Sequence, residues 1–196
     1  MILYFDTETT GLKPGQICQL SYIMQTKTDV KAKNFFFNVD FVEYGAYMVH
    51  GFSVEKLKNL SGGKTFADCF NEIEEDFLSA DLLCSHNTAF DFSFMRTEFE
   101  RLGKPFIINN EFCTMKKSTP VCKLLRSDGI TYKYPKLNEL CNYFAIRNSD
   151  IERASDKLFG TEANFHDARF DTTAVYLIVN EGFKCEKIFK EIEPCL

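Results

Sequence analysis

The sequence predicts an α/β fold in which helices flank a five-stranded mixed sheet, an antiparallel meander on one side and parallel strands on the other. Three observations carry this. The run Ile2-Leu3-Tyr4-Phe5 is unbroken and apolar, as suits a strand buried on both faces. Two further strand-like stretches, 17–26 and 34–41, follow after short connections, the pattern of a meander. Beyond residue 65 the apolar period becomes helical, and helical stretches alternate with short apolar runs.

Taken in order, Gly11 and Pro14-Gly15 mark the turn after the first strand. The second strand alternates, with Cys18, Leu20, Tyr22 and Met24 on one side and Gln19, Ser21 and Gln25 on the other, which predicts half-burial. In the third, Phe35, Phe37 and Val39 are in phase. Residues 42–60 read as one or two short helices around Val49-His50-Gly51-Phe52, with Ser53 as an N-cap. Gly62-Gly63 breaks the chain, and Thr65 with Asp68 forms a capping box before a helix over 66–79 built on Phe66, Phe70, Ile73 and Phe77. Leu82-Leu83-Cys84-Ser85 is a short buried strand. Asn87 can cap the next helix, which carries Phe92, Phe94, Met95, Phe99 and Leu102 and ends at Gly103 and Pro105. Phe106-Ile107-Ile108 supplies the fifth strand, 115–136 is loop and short helix, and Pro135-Lys136-Leu137 opens a helix to Phe144. The polar stretch 147–164 reads as a loop or small insertion. A strong helix then runs from His166 to about Asn180, and a short tail helix is expected around Lys187-Ile188-Phe189. The expectation is one domain over 1–196, with its core in 1–180 and the tail helix in 181–196.

Composition narrows the class. At 45% hydrophobic and 26% charged the chain is globular. Its 21 phenylalanines, with no tryptophan, point to aromatic core packing. The eight cysteines form no C-x-x-C and have no histidine at zinc spacing, so free thiols in a reducing compartment, the cytoplasm, are expected. No signal peptide is read before Met1-Ile2-Leu3-Tyr4, and no apolar run has the length of a membrane span. A net charge of −5 argues against a passive nucleic-acid coat but suits an enzyme whose acids gather around cations. Locally, Lys116, Lys117, Lys123, Arg126, Lys133 and Lys136 face only Asp128 within 115–136, which makes this either a solvated face or a phosphate contact.

The chemistry-bearing residues begin at the end of the first strand. Asp6 and Glu8 share a face, because alternate side chains of a strand point the same way. Two carboxylates side by side repel; a hard divalent cation would remove that repulsion, whereas a solvated strand end would need none. Asp91 lies in the first turn or two of a helix, where the dipole favours an acid, yet phenylalanines flank it. Asp171 falls in line with Ala174, Val175 and Ile178 on the apolar side of the last helix, where an acid needs a partner or a metal. His166, just before that helix, can point to the same place.

Asp6-Thr7-Glu8-Thr9-Thr10-Gly11, then His86-Asn87-Thr88-Ala89-Phe90-Asp91, then His166-Asp167-Ala168 with Asp171, resembles the three motifs of the DEDDh, or DnaQ-like, 3′–5′ exonucleases. The group includes the proofreading subunit of bacterial replicative DNA polymerase, and the resemblance covers residues 1 to about 180. It implies a ribonuclease-H-like fold and two Mg²⁺ or Mn²⁺ ions held by Asp6, Glu8, Asp91 and Asp171. It further implies His166 as general base and release of nucleoside 5′-monophosphates from a 3′ end. Val49-His50-Gly51 is similar to a family segment that meets the terminal nucleotide, so His50 is placed at the substrate, with Thr9 and Phe90; a turn histidine and core packing are the plainer readings of His50 and Phe90. DNA is the expected substrate. An RNA-trimming enzyme of the oligoribonuclease or RNase T type has identical catalytic positions, and a catalytically inactive binding module stands as a rival from another class. The stretch 147–164 is longer than a minimal core needs, and the chain lacks the long tail by which the proofreading subunit reaches its polymerase, so a polymerase partner is possible but not indicated.

Overall fold

Strand β1 (Ile2–Thr9) is the middle strand of a five-stranded sheet ordered β3-β2-β1-β4-β5. The architecture comes from a computed structural model that describes residues 1–160 and 166–184, apart from the Phe183 side chain. Strand β2 (Ile17–Gln25) pairs with β1 antiparallel along its whole length, and β3 (Val30–Phe36) pairs antiparallel with β2. On the other side β4 (Leu82–Ser85) runs parallel to β1, and β5 (Glu111–Cys113) parallel to β4. This is the mixed sheet that the sequence predicts, flanked by helices as in ribonuclease-H-like proteins.

The functional consequence lies in one mismatch of length. Strand β4 pairs with Ile2, Leu3 and Tyr4 only, so the second half of β1 runs on past the end of its parallel neighbour. Crevices beyond the carboxyl ends of parallel strands, where strand direction changes, are where open α/β sheets bind ligands. Asp6 and Glu8 stand at that place.

The two faces of the sheet are chemically distinct. Leu3 and Phe5 pack against α3 (Phe66–Leu78) and α4 (Thr88–Arg101) in a layer dominated by Phe37, Phe66, Phe70, Phe77, Phe92, Phe94 and Phe99. Ring pairs such as Phe5–Phe77 and Phe70–Phe99 meet edge to face at 5.4 and 4.9 Å. Ile2 and Tyr4 face a mostly aliphatic layer made with α6 (Leu137–Tyr143), α7 (Asn148–Phe159) and α8 (Ala168–Lys184). By strand alternation Asp6 and Glu8 belong to the α8 side, and Thr7 to the α4 side.

Local signals account for several boundaries. Ser53 Oγ accepts from Lys56 N–H and starts α2 (Val54–Ser61), while Thr65 and Asp68 form the capping box of α3. Asn87 stands at the N-cap of α4 without a side-chain cap bond; its backbone carbonyl accepts from Phe90 and Asp91 instead.

The structure corrects four readings. Strand β3 begins at Val30, because a tight turn closed by Thr26 N–H on the Asp29 carbonyl pairs Gln25 with Val30. Its lysines hid it, and lysines are what an edge strand tolerates. Strand β2 is buried on both faces rather than one, since α8 covers Gln19 and Ser21. The fifth strand is Glu111–Cys113 and not 106–108: Phe106 turns into the phenylalanine layer against Phe77, Phe92 and Phe99. The polar stretch after residue 147 is mostly helix, α7, held by a narrow stripe in which Ile151 and Ser155 are buried. Within the basic stretch, α5 (Thr114–Cys122) is followed by a small hairpin. The expected tail helix lies outside the described residues. Among those described, no helix is long and apolar enough to cross a membrane.

Candidate active site

Asp6, Glu8 and Asp171 each offer a carboxylate oxygen, and these oxygens lie within 4.8 Å of one another. The first turn of α8 thus brings Asp171 to the face of β1 that carries the acid pair. Desolvation pushes the Asp6 and Glu8 carboxyls well above the ordinary range, and repulsion from Asp171 and Asp91 adds to it. Asp171 is pushed up to about 7 by burial first and then by Asp167 and Asp91. One of its oxygens, Oδ1, is buried with no hydrogen-bond partner. A buried bare carboxylate oxygen among like charges is costly unless a cation completes the site.

Asp91 approaches from the other face. Both of its oxygens are occupied: Thr7 Oγ1 donates to Oδ1 and Ser85 Oγ to Oδ2, each at 2.8 Å. Thr7 comes from β1 and Ser85 from the last residue of β4, so Asp91 closes the gap that the shorter strand leaves. Burial raises its pKa to about 6, against the pull of the two hydroxyls.

Among the other sequence-predicted residues, His166 occupies a left-handed backbone position (φ 62°) at the entry to α8, and desolvation lowers its pKa. It lies near enough to His50 for its charge to act on that ring. His50 is buried at the end of α1 (Tyr44–His50). Its Nδ1 accepts from Phe52 N–H at 3.0 Å, which leaves the proton on Nε2, 3.2 Å from the Thr9 carbonyl. Thr9 Oγ1 donates to the Gly11 carbonyl at 2.8 Å, and Phe90 packs on Phe94 with centroids 4.9 Å apart.

A family model described as "Exonuclease" matches residues 3–178. The chain belongs to this exonuclease family. Its acids and histidine follow the DEDDh pattern of the DnaQ-like 3′–5′ branch. The DNA polymerase III subunit epsilon of Rickettsia felis is 31% identical over 153 residues, covering 75% of this chain and 63% of that protein. The subunit of the same name from Escherichia coli K12 is 29% identical over 157 residues, covering 75% and 61%. The chain therefore spans about three-fifths of the length of these relatives. Among solved structures, one of exonuclease I superposes with a TM-score of 0.73 at 18% identity, covering 98% of this chain and 43% of the other. E. coli exonuclease I in complex with a dA16 oligonucleotide superposes at 0.70, with 19% identity and coverage of 98% and 43%. At these identities the likeness speaks for the fold.

The donor set of this chain fits a hard divalent cation. It is all oxygen and all carboxyl, and it ends in the bare Asp171 Oδ1. Asp6, Glu8 and Asp171 would hold such an ion, with Asp91 behind them.

Sequence reasoning missed a supporting network. Gln19, opposite Glu8 in the sheet, is fully buried; its Nε2 donates to Asp167 Oδ1 at 2.8 Å and its Oε1 accepts from Ala168 N–H at 3.1 Å. Asp167 also pairs with Arg169, whose guanidinium lies over the Phe36 ring. The network fixes the first turn of α8, and with it Asp171. Glu98 was missed as well: buried on α4, it accepts from Ile17 N–H at 2.8 Å and pins the start of β2 where the β1 pairing shifts register. Only the alternation of β2 pointed toward Gln19, and it assigned that residue to a polar face.

Proposed function

We propose that this chain is a metal-dependent 3′–5′ exonuclease that removes nucleoside 5′-monophosphates one at a time from a DNA 3′ end. The observation that carries the reading is the convergence of Asp6, Glu8 and Asp171 within 4.8 Å, with Asp171 Oδ1 left bare. Asp6, Glu8, Asp91 and Asp171 would hold two Mg²⁺ or Mn²⁺ ions. When bound, the ions supply Lewis-acid charge that acidifies a water and offsets charge gathering on the phosphate.

The chain's own residues do the rest. His166 takes the proton of the attacking water; desolvation keeps its ring neutral near pH 7, as a base requires. Thr9 lies at the substrate, and His50 acts through it by holding its carbonyl. Phe90 meets a terminal base with its half-exposed ring. DNA is favoured because the relatives are subunits of a DNA polymerase, and a solved neighbour holds a dA16 strand. The unit acts as one domain in the cytoplasm, a placement supported by the free thiols of Cys18, Cys84, Cys113 and Cys141.

The test is digestion of 3′-labelled single-stranded DNA, duplex DNA and RNA, in Mg²⁺ and in chelator. Stepwise release of mononucleotides from DNA in Mg²⁺ alone is expected. Asp6→Ala should abolish turnover in a folded protein, and His166→Ala should lower the rate by roughly 10²-fold or more, the range for a lost general base. Full metal-dependent activity in Asp6→Ala would refute the assignment, and RNA degraded faster than DNA would move the substrate to RNA.

A further inference from the structure

A basic, aromatic hairpin is rooted at the rim of the acid cluster, and we infer that it binds the sugar–phosphate backbone of a single strand whose 3′ end lies in the site. The inference rests on the nuclease reading and names a second contact along the strand.

The roots of the arm are fixed by one side chain. His86 follows Ser85, the residue that donates to Asp91. Its ring nitrogens lie 3.0 Å from Thr114 Oγ1 and 3.0 Å from the Pro135 carbonyl, one at each end of the basic stretch. Its own backbone carbonyl accepts from Met115 N–H at 3.1 Å. On the far side α6, which begins two residues after Pro135, carries Cys141, whose thiol feels the charge of Asp171. One root of the arm is therefore tied beside Ser85, the partner of Asp91, and the other runs into α6, which packs on α8.

The hairpin itself is well built. Leu125 bridges Tyr132, Arg126 N–H bonds the Thr131 carbonyl at 2.8 Å, and Lys133 N–H bonds the Leu124 carbonyl at 2.8 Å. Asp128, the lone acid of the stretch, is consumed in its turn: it accepts from Ile130 N–H, Thr131 N–H and Thr131 Oγ1, which pull its pKa down to about 2. Gly129 takes the left-handed position this turn needs, at φ 67°. Lys133 is drawn to Glu139, whereas Lys116, Lys123 and Arg126 are exposed. Tyr132 and Tyr134 are exposed beside them, and Ile130 at the tip is 83% exposed.

A stretch whose lone acid is turned inward, and which keeps Lys116, Lys123 and Arg126 exposed beside Tyr132 and Tyr134, with Arg126 Nε on the Tyr132 carbonyl at 3.3 Å, complements a polyanion with stackable bases. It stands out on a chain of net charge −5. From Tyr134 to the tip at Gly129 it can reach roughly 17 Å, at ~3.3 Å per residue.

The experiment compares wild type with Lys116→Gln/Lys123→Gln/Arg126→Gln, all exposed positions, by fluorescence anisotropy of labelled (dT)12 and (dT)3 in Ca²⁺ over a salt series. Loss of three charges should weaken (dT)12 about tenfold and flatten the slope of log K against log salt by about 2, at ~0.7 per phosphate contact on a single strand. Binding of (dT)3 should fall less, since three nucleotides offer only two internal phosphates for these cations to meet. An unchanged (dT)12 slope, or an equal loss on (dT)3, would overturn the inference, as would wild type binding (dT)12 no tighter than (dT)3. Failure of the nuclease reading is separate: it shows as no Mg²⁺-dependent digestion, while the anisotropy slopes still decide the arm.

Discussion

Helices α4 and α8 each bring an acid to the end of β1, and they prepare it in opposite ways. Asp91 on α4 is finished by the protein: two hydroxyls occupy its two oxygens, and its pKa stands at about 6. Asp171 on α8 is left open: its Oδ1 is buried and unpartnered, and its pKa stands at about 7. The backbone around Asp171 is nonetheless the more elaborately held, through Gln19, Asp167 and Arg169. The difference teaches that position and satisfaction are separate design variables. At Asp171 the chain secures the place and withholds the partner, which is how a site awaiting a cation is built.

Truncating both acids should separate the two roles most clearly. Asp171→Ala and Asp91→Ala should each abolish Mg²⁺-dependent turnover, but only Asp91→Ala should destabilise the fold. It strands the hydroxyls of Thr7 and Ser85, at about 1–3 kcal/mol for a buried polar group left unpaired. Asp171→Ala removes an unpaired charge, and its melting temperature in chelator should match or exceed wild type. Calorimetry beside the digestion assay reads both, and equal destabilisation would break the distinction.

A middle-sized effect should appear with pH. The folded protein binds a proton at Asp171 up to about pH 7, whereas an unperturbed aspartate releases it near 3.8. Folding therefore takes up a proton between those values, and the contribution to stability, complete below 3.8, falls away as pH rises through 7. Measured in chelator against Asp171→Asn, wild type should match the variant near pH 4 and melt below it by pH 8, by up to about 9–17 °C at ~1.4 kcal/mol per pKa unit and ~2–4 °C per kcal/mol for a chain of this size. Saturating Mg²⁺ or Mn²⁺ should close the gap by binding the folded wild type. A gap that widens toward low pH would contradict the sign.

The smallest effect probes Asp91 alone. Thr7→Val keeps shape and deletes one donor, so the Asp91 carboxyl should rise further above 6. The acid limb of the pH–rate profile should move up by about one unit, the equivalent of a lost charge-assisted bond of ~1.5 kcal/mol. A profile that does not move would mean that Ser85 alone sets this acid.

The two acids also differ in how far they were legible. Asp6 and Glu8 could be placed because strand alternation fixes their common face, and Asp171 because an acid in an apolar helical stripe is conspicuous. Much of the aromatic excess gathers in one layer of rings beneath β1, which composition suggested without locating. The hydroxyls that complete Asp91 were invisible, since Thr7 and Ser85 meet only after β4 pairs beside β1. Gln19 failed for a similar reason: its burial depends on a helix 149 residues downstream at Ala168. Strand β5 and helix α7 were lost to weak local patterns, three residues in one case and a thin apolar stripe in the other.

The seven-residue helix α1 shows what such fastening does mechanically. It is tied at both ends to the tip of β1: Glu43 N–H holds the Thr10 carbonyl at one end, and the His50 ring holds the Thr9 carbonyl at the other. Helix and strand tip thus form a stiff bracket with no hinge between them. The exposed Tyr44, Tyr47 and Met48 ride on a helix fastened to the strand tip one residue beyond Glu8.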